Sequence, residues 1–370
     1  MKRISIWIFG LLIFSPAVFA EVTVRGFNLS EVGEYIYDAA PAGAAKTHAQ
    51  IAVDSMKRLG VNHVVLNPRA KMVGPYSSEI IPFVSAREAR REAERYARLI
   101  NYIRSQGMTV GIRPIFFVFG PNDEFPYFEE IPGVGRKVWW HGNIQPRDPN
   151  AWFSSFKEYL RRYLTIAREN RAEEFTIGAE LYSMTVGVED QWAAFPYGFP
   201  GRWREVLTFA ETMLRDHRPN CRIMYDINFT DDRVDGVGGV PASGGELERW
   251  RYRLVDLANP TNPEELAIWT DLMEFWKGLD AVGIDMYRSL ASREDTIPTE
   301  FEPLVALLKV RADAYAGQID QTLYEIEGIT RVEKRAILKE VGYRSIDQGF
   351  IDPFGYAETG TGRANILHQA

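Results

Sequence analysis

Phe175-Thr176-Ile177-Gly178-Ala179-Glu180-Leu181 is a short apolar run that closes on a carboxylate. Ala336-Ile337-Leu338-Lys339-Glu340-Val341-Gly342 has the same form further along the chain. Each has the length and composition of a strand buried in a sheet. A carboxylate loses hydration free energy when it leaves water, so a strand that buries one at its end implies a use for it there. Two carboxyls converging over one pocket are the equipment for breaking a glycosidic bond.

Working outward from these two runs, strands and helices alternate. Strands are expected over Val22–Leu29, Val61–Leu66, Met108–Phe117, Phe175–Leu181, Arg222–Asn228, Leu279–Tyr287 and Arg335–Tyr343. Helical spacing falls between them over 44–59, 86–105, 150–170, 203–217, 264–277 and 299–316. In the first helix Ile51, Val53, Met56 and Leu59 form the apolar stripe, and Gly60 stops it. Asp148-Pro149 reads as the entry cap of the third helix.

Such alternation requires parallel strands with helical crossovers. The helix-to-strand connections are short, whereas those after the strands are long: 67–85, 118–148, 182–202 and 229–263. Long loops on one end mark an α/β barrel of the (β/α)8 TIM type, with its working face at the strand C-termini. Seven β/α units are evident. The residues after Glu340 contain no eighth strand, only a helix start at 363–370, so either the chain is truncated or another element closes the gap, an open barrel exposing two strand edges.

Met1-Lys2-Arg3, an apolar run from Ile4 to Phe14 and a small-residue site at Val18 and Ala20 read as a signal peptide over 1–20, leaving 21–370 as a single domain. The apolar run is too short to anchor in a bilayer, so a secreted or periplasmic protein is expected. The single cysteine, Cys221, excludes an internal disulfide and reads as a small buried hydrophobe. A net charge of −7 argues against nucleic acid and anionic membrane surfaces. The five histidines lack metal-ligand spacing, Gly236-Val237-Gly238-Gly239 is not a dinucleotide fingerprint, and no Gly-x-Ser-x-Gly elbow occurs. No cofactor and no metal are expected.

The loops carry Phe125, Tyr127, Phe128, Trp139, Trp140, Trp192, Phe195, Tyr197 and Phe199. Together they suit a cleft for sugar rings, although any one ring is as well explained by loop packing. Tyr287, at the end of the sixth strand, is a candidate to orient Glu340 through its hydroxyl, with a rim aromatic as the alternative. Trp140, His141, Asn228, Arg113 and Tyr343 are the candidate substrate-binding residues. Arg113 has the alternative of neutralising an acid, Asn228 of capping a turn, and Asp285 of a salt bridge inside the barrel.

Seven spaced segments share a resemblance: Trp139-Trp140-His141-Gly142-Asn143-Ile144, Phe153 to Leu160, Ile177 to Leu181, Gly201 to Leu207, Tyr225-Asp226-Ile227-Asn228, Phe275 to Tyr287, and Lys339 to Ser345. In this order they resemble glycoside hydrolase family 113, a clan A group of retaining β-mannan hydrolases, from about Val22 to Ala370. The resemblance implies a (β/α)8 barrel with Glu180 as acid/base on strand four and Glu340 as nucleophile on strand seven. It departs from the wider clan at Ala179, where most members carry Asn. The expected partner is a β-linked polysaccharide or oligosaccharide met by a monomer without nucleic acid or a membrane anchor, with endo-β-1,4-mannanase-like cleavage first. The alternatives are a glycan-binding barrel without catalysis and a hydrolase of exopolysaccharide or cell-wall glycan.

Overall fold

The computed structural model describes residues 24–31, 37–231, 233–234, 242–343, 348–351 and 353. The leader expected at 1–20, the glycines at 236–239 and the helix expected at 363–370 lie outside them. Seven strands form one parallel sheet: β1 Gly26–Ser30, β2 His63–Asn67, β3 Thr109–Ile112, β4 Glu174–Ala179, β5 Arg222–Thr230, β6 Ala281–Tyr287 and β7 Arg335–Val341. Their order in the sheet is their order in the chain, and each neighbouring pair is parallel. One helix crosses over between each pair: α1 His48–Arg58, α2 Ala89–Ser105, α3 Pro149–Glu169, α4 Pro200–Leu214, α5 Pro263–Gly278 and α6 Phe301–Thr330. This is the curled β/α sheet the alternation implies.

Local chemistry sets the helix starts. Thr47 and Gln50 form a reciprocal capping box on α1. Asp148 accepts from the Ala151 amide at 3.0 Å, and Asn262 from Glu264 at 2.8 Å, ahead of prolines whose fixed φ suits a first turn.

Three expectations change. The third strand is not continuous: Pro114 offers no amide to a ladder, and the chain divides there. Ile115–Phe119 pairs instead with Arg69–Val73 in a separate sheet above the barrel end. The last helix runs to Thr330 rather than ending at 316, continuing through Gly317 with Ile319, Thr322 and Ile326 buried beyond it. On α1, Ala49, Val53 and Met56 are buried, but Ile51 and Leu59 face solvent.

β1 and β7 are the two edges of the sheet. Asn28 on β1 spans them, donating from Nδ2 to the Lys339 carbonyl on β7 at 2.8 Å. Phe27, Leu338 and Val341 are about half exposed along this seam.

Between the barrel wall and α3, α4 and α5 lies an aromatic core. Trp203 is fully buried, with Phe153, Phe156, Tyr225 and Phe275 around it at centroid distances of 5.3–5.8 Å. Its indole N–H donates to the Met184 carbonyl. Cys221 is buried as expected, and burial pushes its thiol up to about 12. Trp203→Ala should lower unfolding free energy by about 3–5 kcal/mol in urea denaturation, the range for truncating a large core ring.

Candidate active site

Both glutamates emerge from strand irregularities at the same end of the barrel. β4 carries one additional residue between Thr176 and Ala179 relative to β5, and β7 one between Leu338 and Glu340 relative to β6. Bulges of this kind re-aim side chains next to functional sites. Glu180 follows its bulge in a left-handed conformation, φ 54°, held by its amide bond to the Asp226 carbonyl at 2.8 Å. A non-glycine residue in that region carries a local cost that the surrounding structure must maintain.

Glu180 is held by an amide side chain and an imidazole. Asn228, on β5, donates from Nδ2 to Oε1 at 2.8 Å, and His141 Nε2 lies 3.1 Å from Oε2. Glu340 is held differently. Arg113 donates to Oε1, and the Tyr287 hydroxyl donates to Oε2 at 2.5 Å. Burial opposes the charge on Glu340, but Arg113 and the tyrosine hydroxyl outweigh it, so its carboxyl is held below the usual carboxylate range. Its side chain remains 25% exposed, open to the barrel end.

Arg113 resolves the alternatives left by the sequence. Its side chain is 2% exposed and bridges three acids: Asp226 from Nε at 2.6 Å, Asp285 from Nη2 at 2.6 Å, and Glu340. It therefore neutralises acids inside the barrel, and of the three only Glu340 keeps solvent exposure. Asp285 takes the barrel salt bridge. One cation cannot balance three carboxylates in a dry interior, and burial drives Asp285 well above the normal range despite Arg113. The ionised partner of Arg113 at the pocket is Glu340.

A second ionic layer lies below. Glu174, 1% exposed, pairs with Lys339 and with Arg222 at 3.3 Å, and His63 lies 3.7 Å away. Burial is outweighed by Lys339 and His63, which hold the Glu174 carboxyl far below the usual range.

Glu246, which sequence reasoning missed, sits behind Asn228. Its carboxyl accepts from the Tyr225 hydroxyl at 2.9 Å, the Trp250 indole at 3.1 Å and the Asn228 amide at 3.3 Å. Gly245, at φ 57°, brings it there, and a Cβ at that position would collide with Asn228 Oδ1. Gly244-Gly245 was the available signal.

The remaining candidates divide. Trp140 is half-buried, 4.9 Å from the His141 ring and 5.7 Å from Tyr182, beside the pair. Tyr343 donates to the Arg288 carbonyl at 2.8 Å and packs on a separate cluster with Ala291, Leu304 and Phe350. Of the loop aromatics, Trp139 is buried against Tyr76 and Trp192, and Phe199 packs with Phe153 and Phe195. These rings hold the loops down. A surface hollow of about 940 Å³, lined by Lys157, Phe199, Arg202, Glu205, Phe209 and Asp271, lies outside α3 and α4 and contains none of the paired carboxylates.

A barrel with two glutamates at the C-terminal ends of β4 and β7 is the glycoside-hydrolase type of β/α fold. Residues 35–196 match the model of Glycoside Hydrolase Family 113, which bears out the resemblance read from the sequence motifs. A family 113 β-1,4-mannanase aligns over 94% of this chain and 80% of its own, at 16% identity and a TM-score of 0.52. The family 113 β-mannanase from Alicyclobacillus acidocaldarius aligns over 94% and 79%, at 15% identity and a TM-score of 0.53. At these identities the likeness is one of fold. None of the curated proteins compared with the chain matches it.

Burial pushes the Glu246 carboxyl up from 4.5 to about 8 against its three donors. A carboxyl whose folded value is raised stabilises fully below its unfolded value, and that contribution is lost as pH rises through the folded value. Wild-type stability should therefore fall between pH 4.5 and about 8 by up to about 5 kcal/mol, and Glu246→Gln should flatten that slope in urea titrations at each pH.

Proposed function

We propose that this chain is an exported, monomeric retaining glycoside hydrolase that cuts a β-linked polysaccharide within the chain, β-1,4-mannan first among the candidates. What carries the reading is the unequal support of the two glutamates. Glu340 is ionised against Arg113 and Tyr287, whereas Glu180 rests on an amide and an imidazole at the same barrel end. One carboxylate is prepared to attack and the other to carry a proton.

The chemistry follows from that inequality. A Glu340 oxygen attacks the anomeric carbon and forms a glycosyl ester, while Glu180 gives its proton to the departing glycosidic oxygen. Esterification removes the negative charge at position 340, and Glu180, having given up its proton, is left as a carboxylate. Glu180 then takes a proton from water, the resulting hydroxide breaks the ester, and Glu340 is regenerated as the carboxylate. Inversion at both displacements restores the β configuration. Asn228 and His141 keep the Glu180 carboxyl oriented through both steps. The leader at 1–20 supports export, and the negative charge suits a neutral glycan.

Glu340→Gln should lower kcat on an activated aryl β-mannoside by about 10⁴-fold with the fold intact by circular dichroism; wild-type turnover would remove Glu340 from the mechanism. Glu180→Ala should lose about 10²–10⁴-fold on mannan but far less on aryl glycosides, and added azide should restore rate as the β-glycosyl azide. The acid limb of wild-type kcat/KM should lie below pH 4.5, since Glu340 ionises below its ordinary value. A panel of β-linked glycans, scored for both hydrolysis and binding, checks the class of substrate; binding without hydrolysis by wild type would leave a glycan-binding barrel.

A further inference from the structure

Neighbouring residues on a regular strand face opposite sides, so Lys339 and Glu340 can both enter the barrel only if the register slips. It slips at that point: Ile284 pairs with Leu338 and Asp285 with Glu340, leaving Lys339 as an additional residue in β7. Glu340 turns in to Arg113 and Tyr287. The Lys339 side chain, 3% exposed, crosses the barrel to the Glu174 carboxylate on β4. Gly283 provides the room, since a Cβ there would strike the Lys339 stem and Asp226 Oδ1. The Lys339 carbonyl accepts from Asn28 at the β1–β7 seam.

We propose that Lys339 is a positioning residue for Glu340, its ion pair with Glu174 holding the β7 bulge that aims the Glu340 carboxylate into the pocket. The inference rests on Glu340 being the nucleophile. Its reasoning is geometric. A lysine on a flexible four-carbon stem would otherwise face outward at the half-exposed edge strand, where water solvates it. The buried Glu174 carboxylate draws it inward, and the main chain must then bulge to keep Glu340 inward as well. The Asn28 amide holds the main chain of the same residue from the other side of the seam.

The test uses the whole protein with Lys339→Met and Glu174→Gln combined, so that no lone charge is left buried. The expected crystal structure has β7 in regular register and the Glu340 carboxylate off Arg113 and Tyr287. On an aryl β-mannoside kcat should fall about 10²-fold with KM within about threefold, while Lys339→Arg retains most of the rate. An unchanged bulge with kcat within about twofold of wild type overturns the proposal. Glu340→Gln, run in parallel, separates the two claims. If it turns over like wild type, the nucleophile reading fails, and the register in the double variant still decides what Lys339 does. Should the double variant not fold, Lys339→Gln takes its place, Glu174 keeping His63 and Arg222 beside it: a fall in kcat of about tenfold with KM unchanged supports the proposal, and an unchanged kcat overturns it.

Discussion

The Arg113 guanidinium is the point on which the interior turns. Three strands deliver carboxyls to it, from Asp226, Asp285 and Glu340. A barrel of this type is usually filled by layers of branched apolar side chains. Here the upper filling is a planar cation with donors on three sides, and a planar fork is the side chain suited to several carboxyls at once. The arrangement has an electrostatic outcome. Charge settles on the carboxyl nearest the open end, and Asp285 below it is driven toward its neutral form by burial.

Strand irregularity is the second constraint. A regular strand offers every other side chain to the barrel interior. This sheet departs from alternation just before Glu180 and at Glu340. The left-handed backbone at Glu180 and the additional residue at Lys339 are local disruptions of ladders that are otherwise in register. Each is compensated by a hydrogen bond: the Glu180 main-chain amide to the Asp226 carbonyl within the sheet, and the Asn28 side-chain amide to the Lys339 carbonyl across its seam.

Much of this was legible from the amino-acid order. Helix stripes and glycine stops separated the crossovers, and apolar runs marked the seven strands. The ends of those strands pointed to Glu180, Glu340, Tyr287 and Asn228, because a polar residue closing a buried run is conspicuous. The bulges were not legible, since β4 is buried throughout and β7 exposes residues without strict alternation, so neither has a period-two pattern against which a one-residue slip can be seen. The choice between the two roles of Arg113 was also hidden, because its partners lie on distant strands. Glu246 escaped because its placement depends on a positive-φ turn at Gly245 within a long loop. The length of α6 was misjudged because an unhindered glycine inside a helix looks, in sequence, like a stop.

The lower ionic layer of His63, Glu174, Arg222 and Lys339 has an evolutionary consequence. Exchanging one member alone passes through a molecule with an unmatched charge in a dry interior, which costs far more than altering the set together. These four positions are therefore expected to drift as a group among descendants of this chain. A lineage that replaced them all with branched hydrocarbons would reach the ordinary filling of such barrels only by several simultaneous steps.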